Sequence, residues 1–204
     1  MNIESSLATR LVLLITLIVL TPTALAANII GKESIGKTII AKGQVYLVGV
    51  DSKKTNRLRR RAPIYQGDVI TTLDDSKAQL RMTDRTMIAL KAHSELHIER
   101  HDEHSGVISM TLTKGSLRTV PGSIDTIYGN YQLKTPVGKV ISTSGHYEVD
   151  IINEDVYLSV WTGTLDFAIT VGDTGDNVRL GEGQGHSHAK IDAKGQLTLL
   201  NKGR

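Results

Sequence analysis

Between Pro63 and Ile98 the chain alternates apolar and polar residues in short runs broken by turn residues, and this limits its fold more than any other feature. Ala78, Leu80 and Met82 alternate with Gln79, Arg81 and Thr83, and Ser94, Leu96 and Ile98 alternate with Glu95, His97 and Glu99. A period of two is that of a strand with one face on a core and the other in water. A stretch 71 residues later, opening at Gly138 where the first opens at Gly67, carries a similar pattern. With two gaps, Val69, Ile70 and Thr72 fall under Val140, Ile141 and Thr143, and Leu80 and Met82 under Val149 and Ile151. Either a strand unit has been duplicated or two meanders look alike.

The same reading extends along the chain. A first strand is expected at Gln44 to Val50, and further strands at HYEVDI, VYLSVW, TLDFAITV, NVRLGEGQ and QLTLLNK. Lys114-Gly115, Pro121-Gly122 and Pro136-Val137-Gly138 separate runs in the middle, supplying the φ values that reversals need. After the first 26 residues, no window carries a helical apolar stripe that competes with the alternation. The expected fold is therefore all-β: an antiparallel sandwich, jelly roll or related wound structure, with an internal pseudo-repeat if the duplication is real. Residues 27–42 read as a polar leader, 43–185 as the β-domain and 186–204 as a last strand and tail.

Ahead of the leader, Arg10 precedes the apolar run Leu11 to Leu20, then Thr21-Pro22-Thr23 and Ala24-Leu25-Ala26. A basic start, a short apolar core and a small-residue triplet make a secretory signal peptide over residues 1–26, cleaved after Ala26. The run is too short to span a bilayer, which takes about 20 apolar residues, and Pro22 interrupts it. The mature chain is expected to be exported, periplasmic or extracellular, with no later transmembrane span. The chain has no cysteine, which excludes disulfides, thiolate zinc sites and thiol nucleophiles. Its formal charge of +3 does not point to nucleic acid.

Six of the nine residues from Lys53 to Arg61 are basic: Lys53, Lys54, Arg57, Arg59, Arg60 and Arg61. In an exported chain this run is either a solvated loop or a contact for an anionic glycan, lipid head group or acidic protein, because nucleic acid is not met there. Tyr157 and Trp161, the latter the only tryptophan, share a strand parity opposite Val156, Leu158 and Val160. That parity fits either an exposed contact for a sugar or partner, or a second core. His97, Glu99 and His101, at i, i+2 and i+4 on an extended strand, would share one face and could share an ion; the alternative is a wet strand face running into a polar loop. His186 and His188 sit in a glycine-rich tail and read as exposed polar residues.

Catalytic patterns are missing from the sequence. It holds no G-x-S-x-G elbow, and Asp74-Asp75 and Glu154-Asp155 fall at expected turns. No enzyme activity and no cofactor are expected.

The blocks RLRRRAPIYQGDVITT, AQLRMTDRTMIALKAHSELHIE, LTKGSLRTV, YQLKTPVGKVISTSGHYEVDI, YLSVWTGTLDF and VRLGEGQ, in that order, resemble the periplasmic FecR-type domain. The shared features are a GD turn at Gly67-Asp68, a stretch carrying Asp84, Thr86, Leu90, Ser94 and Leu96, a KG turn at Gly115, a TPVG strand at Gly138 and a W-x-G turn at Gly163. Where the family has Arg-Gly-Thr this chain has Ser144-Gly145-His146, keeping only the glycine that a backbone turn would need, so contacts of that Arg or Thr do not carry over. Only ten residues precede the apolar run, so the cytoplasmic anti-sigma segment of sigma-regulating members is not expected. The resemblance implies an exported, non-enzymatic module that works by protein contact with an envelope or membrane-sensor protein. A polysaccharide- or peptidoglycan-binding protein is the alternative, and a metal-binding protein is a further one.

Overall fold

The computed structural model describes residues 32–50, 54–122, 130–172, 175–184 and 187–200. The described residues hold fifteen strands and no helix. In chain order these are β1 (Gly36–Lys42), β2 (Val45–Val48), β3 (Thr55–Arg57), β4 (Pro63–Ile64), β5 (Val69–Thr72), β6 (Lys77–Met82), β7 (Met87–Leu90) and β8 (Glu95–Asp102). They continue as β9 (Val107–Val120), β10 (Asn130–Thr135), β11 (Gly138–Ile152), β12 (Asp155–Ile169), β13 (Asn177–Gly181), β14 (His188–Ile191) and β15 (Leu197–Leu200).

The sheet divides into two wings that share β9, β11 and β12. The C-terminal part of β9 pairs with β7 and β11, and that wing runs β4-β1-β6-β7-β9-β11-β12-β14-β15. The N-terminal part of β9 pairs with β8 and β10, and the other wing runs β3-β2-β5-β8-β9-β10-β11-β12-β13. Each shared strand changes partners where a glycine takes a left-handed backbone: Gly115 in β9 at φ 83°, Gly145 in β11 at 91° and Gly163 in β12 at 74°. Gly145 and Gly163 face each other across the β11–β12 ladder. A Cβ on Gly145 would run into the carbonyl oxygen of Thr162, so this bend requires glycine on both conformational and steric grounds.

One core lies inside the wings. Leu80, Ile88, Leu117, Val149 and Leu158 from the first wing join Ile70, Leu96, Met110, Leu133, Leu165 and Phe167 from the second in one buried cluster. Tyr147 and Tyr131 meet within it, the Tyr147 hydroxyl donating to that of Tyr131 at 2.7 Å with the rings edge to face. Burial of this kind is worth about 25 cal/mol per Å² of apolar surface, and it holds this cysteine-free chain together.

The all-β, wound architecture agrees with the alternation, and four details differ from it. First, β10 runs parallel to β9, whereas every strand was expected to be antiparallel; an alternating side-chain pattern reads the same in either direction. Second, the segment taken as a leader contains β1, which pairs with β6 and β4, because Gly36 and Thr38 supply a buried face in a stretch whose polarity resembles a linker. Third, the segment ahead of the expected last strand, which is β15, holds a further strand, β14, and both join the first wing. Fourth, the two similar segments fold differently. VITT and KAQLRM are separate strands, β5 and β6, whereas VIST and HYEVDI are one bent strand, β11, so the sequence likeness is not a repeated strand unit.

Candidate functional site

Trp161 lies on the outer face of the first wing. Along β12, Val156, Leu158 and Val160 are buried, Tyr157 and Ser159 are half-buried on the opposite side, and Trp161 is 42 % exposed. The β11–β12 register slips here: His146 faces Thr162 and Tyr147 faces Val160, which leaves Trp161 as the extra residue of a bulge. Two neighbours fix its ring. The Arg118 guanidinium stands 4.5 Å from the ring centroid, and the His146 ring packs tilted with centroids 4.9 Å apart. Arg118 Nε donates to His146 Nε2. Burial, followed by the Arg118 charge, holds His146 below its ordinary value, which suits a neutral ring that accepts from Arg118.

Glu148 is the direct cross-strand neighbour of Arg118, yet its carboxylate is turned away. It accepts from Lys91 Nζ, and from Ser116 Oγ at 3.1 Å. Burial, reinforced by the adjacent Glu148 charge, pushes the Asp150 carboxyl up. Among the described residues no salt bridge joins Arg118 to a carboxylate.

Tyr157 lies further along the same face, with Lys190 Nζ 5.7 Å from its ring centroid and bonded to Asp155 at 2.7 Å. The basic run lies elsewhere. Lys53 falls outside the described residues, as do residues 1–31 and His186. Lys54 is exposed, and Arg57 ends β3, its guanidinium donating to the Gly43 carbonyl at 3.1 Å. Leu58 is buried and anchors the run, Arg59 and Arg60 project into solvent, and Arg61 holds a φ of 68° while its N–H donates to Thr38. These residues flank β3, which pairs with β2 alone, so the basic run and Trp161 sit on strands that are not neighbours.

His97, Glu99 and His101 do not share a face. A bulge between Ile98 and Arg100 breaks the alternation on which the shared-face expectation rested. His97 bonds Glu95 at 3.2 Å. Glu99 accepts from Lys134 Nζ, Ser109 and Thr111, each at 2.7 Å; the Lys134 and Thr111 hydrogen bonds lead in holding its carboxyl down to about 2. His101 turns inward onto Asp84 at 3.3 Å, both side chains 1 % exposed. No group of three or more His, Asp or Glu among the described residues is placed to hold a metal ion.

The polar residues of the motifs fasten the fold. Burial raises the Asp84 carboxyl, but hydrogen bonds from His101 and Thr86 outweigh it and hold the group low. Thr86 Oγ1 donates to Asp84 at 2.7 Å and accepts from Gly122 N at 2.9 Å. Ser94 Oγ accepts from Ser116 N at 2.9 Å, and Ser94 N donates to Thr72 Oγ1 at 2.9 Å. At the GD turn, Gly67 holds a φ of 87° and the Asp68 carboxylate accepts from Tyr65 N at 2.8 Å. Gly138 is packed against Phe167 and the Ala168 carbonyl, where a side chain would not fit. The important residues not singled out from sequence are Arg118 and the pairing role of His146. Nothing local marks them, because they meet only through the order β9-β11-β12.

A comparison with curated proteins finds no match. Two crystal structures of candidate anti-sigma factors from Parabacteroides distasonis ATCC 8503, at 2.50 and 1.65 Å, share the fold. They align with TM-scores of 0.54 and 0.52 at 16 % and 14 % identity, covering 66 % of this chain. The chain spans 59 % of the length of each, less than two thirds. A family profile described as FecR protein matches residues 68–166, a stretch that runs from the GD turn through Trp161 to Asp166. Residues 68–166 are therefore similar to the FecR family.

Proposed function

We propose that this chain is an exported, non-enzymatic regulatory module of envelope signalling that works by protein contact. The match of residues 68–166 to the FecR family carries the reading, and the fold shared with candidate anti-sigma factors supports it. The layout of residues 1–26 supports export, and no helix among the described residues is long and apolar enough to cross a membrane. The partner is a membrane-sensor or other envelope protein. The glycan alternative has less support at Trp161, because Arg118 already occupies a face of the ring that a sugar would stack on. In vivo crosslinking of a tagged chain, with the crosslinked species identified from envelope fractions, tests the reading. A reproducible membrane-sensor adduct is expected. Retention on immobilised peptidoglycan or polysaccharide with no protein adduct would replace contact signalling with glycan binding.

A further inference from the structure

We infer that the Trp161–Arg118–His146 stack and the dent beside it form the hot spot of a protein interface, fitted to an extended partner segment that presents acidic and aliphatic residues in turn at every second position, on one face. The inference rests on the contact-module reading and adds to it a place and a partner chemistry. Strand register sets out the surface. Lys37 neighbours Arg81, Arg81 neighbours Met87, and Met87 neighbours Val120 across β1, β6, β7 and β9. In the adjoining row Gln79, Ala89 and Arg118 lie side by side. These side chains all lie on the outward side of their strands, and neither row has a carboxylate until Glu148, which Lys91 and Ser116 engage. A depression of about 110 Å³ lies next to Arg118, lined by Met87, Ala89, Val120, Gln79 and His146, with Val120 44 % exposed.

The chemistry follows from that layout. Arg118 is held in place by a ring on which it stacks and by a histidine that accepts from Nε, so little side-chain freedom remains to be lost when a ligand arrives. Its remaining N–H groups form a planar fork suited to a carboxylate. An apolar side chain on the same segment would enter the dent, and Arg81 and Lys37 extend the positive row for a second carboxylate. Tryptophan and arginine beside an apolar dent are the residue types that dominate interface energies.

Because Trp161 is the only tryptophan, its emission reports on this site alone. The probe is an acetylated, amidated hexapeptide Glu-Ser-Leu-Ser-Glu-Ser, which puts Glu and Leu on one face when extended (the Glu-Leu peptide), compared with its Gln-for-Glu counterpart (the Gln-Leu peptide) and with polygalacturonate. The Glu-Leu peptide is expected to shift the emission saturably, with the Gln-Leu peptide about tenfold weaker or worse. By calorimetry, Arg118→Gln and Val120→Glu should each lose about tenfold in affinity while melting as folded proteins, and the triple variant Arg59→Gln, Arg60→Gln, Arg61→Gln should bind as the parent does. Unchanged affinity in Arg118→Gln, equal binding of the Gln-Leu peptide, no response to the Glu-Leu peptide, or a response to polygalacturonate alone would each overturn the inference. Peptide binding without a sensor adduct in the crosslinking experiment would uphold this surface and sink the signalling role. An adduct that forms equally well with Arg118→Gln would do the reverse.

Discussion

At single positions, the strongest requirements lie where backbone and side chain both leave no choice. Gly145 is such a position, with its left-handed φ of 91° and the Thr162 carbonyl where a Cβ would go. Gly145→Ala should cost about 2 kcal/mol or more in urea melts, from the unfavourable conformation together with the clash. Leu80→Ala should cost about 2–5 kcal/mol, since Leu80 is fully buried, while the neighbouring Gln79→Ala should stay within about 0.5 kcal/mol. Equal losses at positions 79 and 80 would show that the β6 register is wrong. His146 gives a second test. Its value is depressed in the fold, so as pH falls below the ordinary 6.5 the unfolded chain takes up the proton first. The contribution of a neutral His146 is therefore complete above that value and declines as pH falls through the lower folded one. Trp161 emission should titrate with a midpoint below 6.5, and Arg118→Gln should raise that midpoint, with the Glu148 charge the opposing influence that remains. A midpoint unmoved by Arg118→Gln would separate the two side chains.

Among the strands, the long members β9, β11 and β12 account for most of what the sequence conceals. Lys114-Gly115, Gly145 and the W-x-G at Gly163 all read as points where the chain turns, and alternation on either side gives no reason to prefer a bend within one strand. A glycine at positive φ serves a hairpin or a bend equally well, and only the partner strands decide between them. The histidine set failed for a related reason. The one-residue bulge after Ile98 reverses every later side chain of β8, so a face deduced from parity ends there. What could be read directly was the strand content, the buried parity of β6 and β12, and the family motifs. The Arg118–His146–Trp161 meeting depends on strand order and could not. Ser94 tests the bend in β9. Ser94→Ala removes the acceptor of the Ser116 N–H, a loss of about 1–3 kcal/mol if that group stays buried and unpaired. Hydrogen exchange at Ser116 should accelerate more than at Leu80, and uniform acceleration would mean that the serine acts through global stability alone.

For the chain as a whole, the predictions concern export and the basic run. Expressed in a bacterium, the mature protein should begin at Ala27 by intact mass, and a species retaining Met1 in the membrane fraction would contradict export. Neutralising Arg59, Arg60 and Arg61 together should shift the melting temperature little, since exposed charges contribute under about 1 kcal/mol each. A variant that fails to fold would make the run part of the architecture, through Leu58 and the Arg61–Thr38 hydrogen bond between them.

Strands shared by both wings also limit how the gene can be divided. A break within 107–120, 138–152 or 155–169 would cut through a strand that serves both wings, whereas a break at 153–154 leaves every strand whole. Reassembly of two co-expressed pieces, or new termini made by circular permutation, should be tolerated at the Asn153-Glu154 hairpin tip and fail at Gly115, Gly145 or Gly163. The residues that look most like loop punctuation are therefore the places where the polypeptide can least be opened.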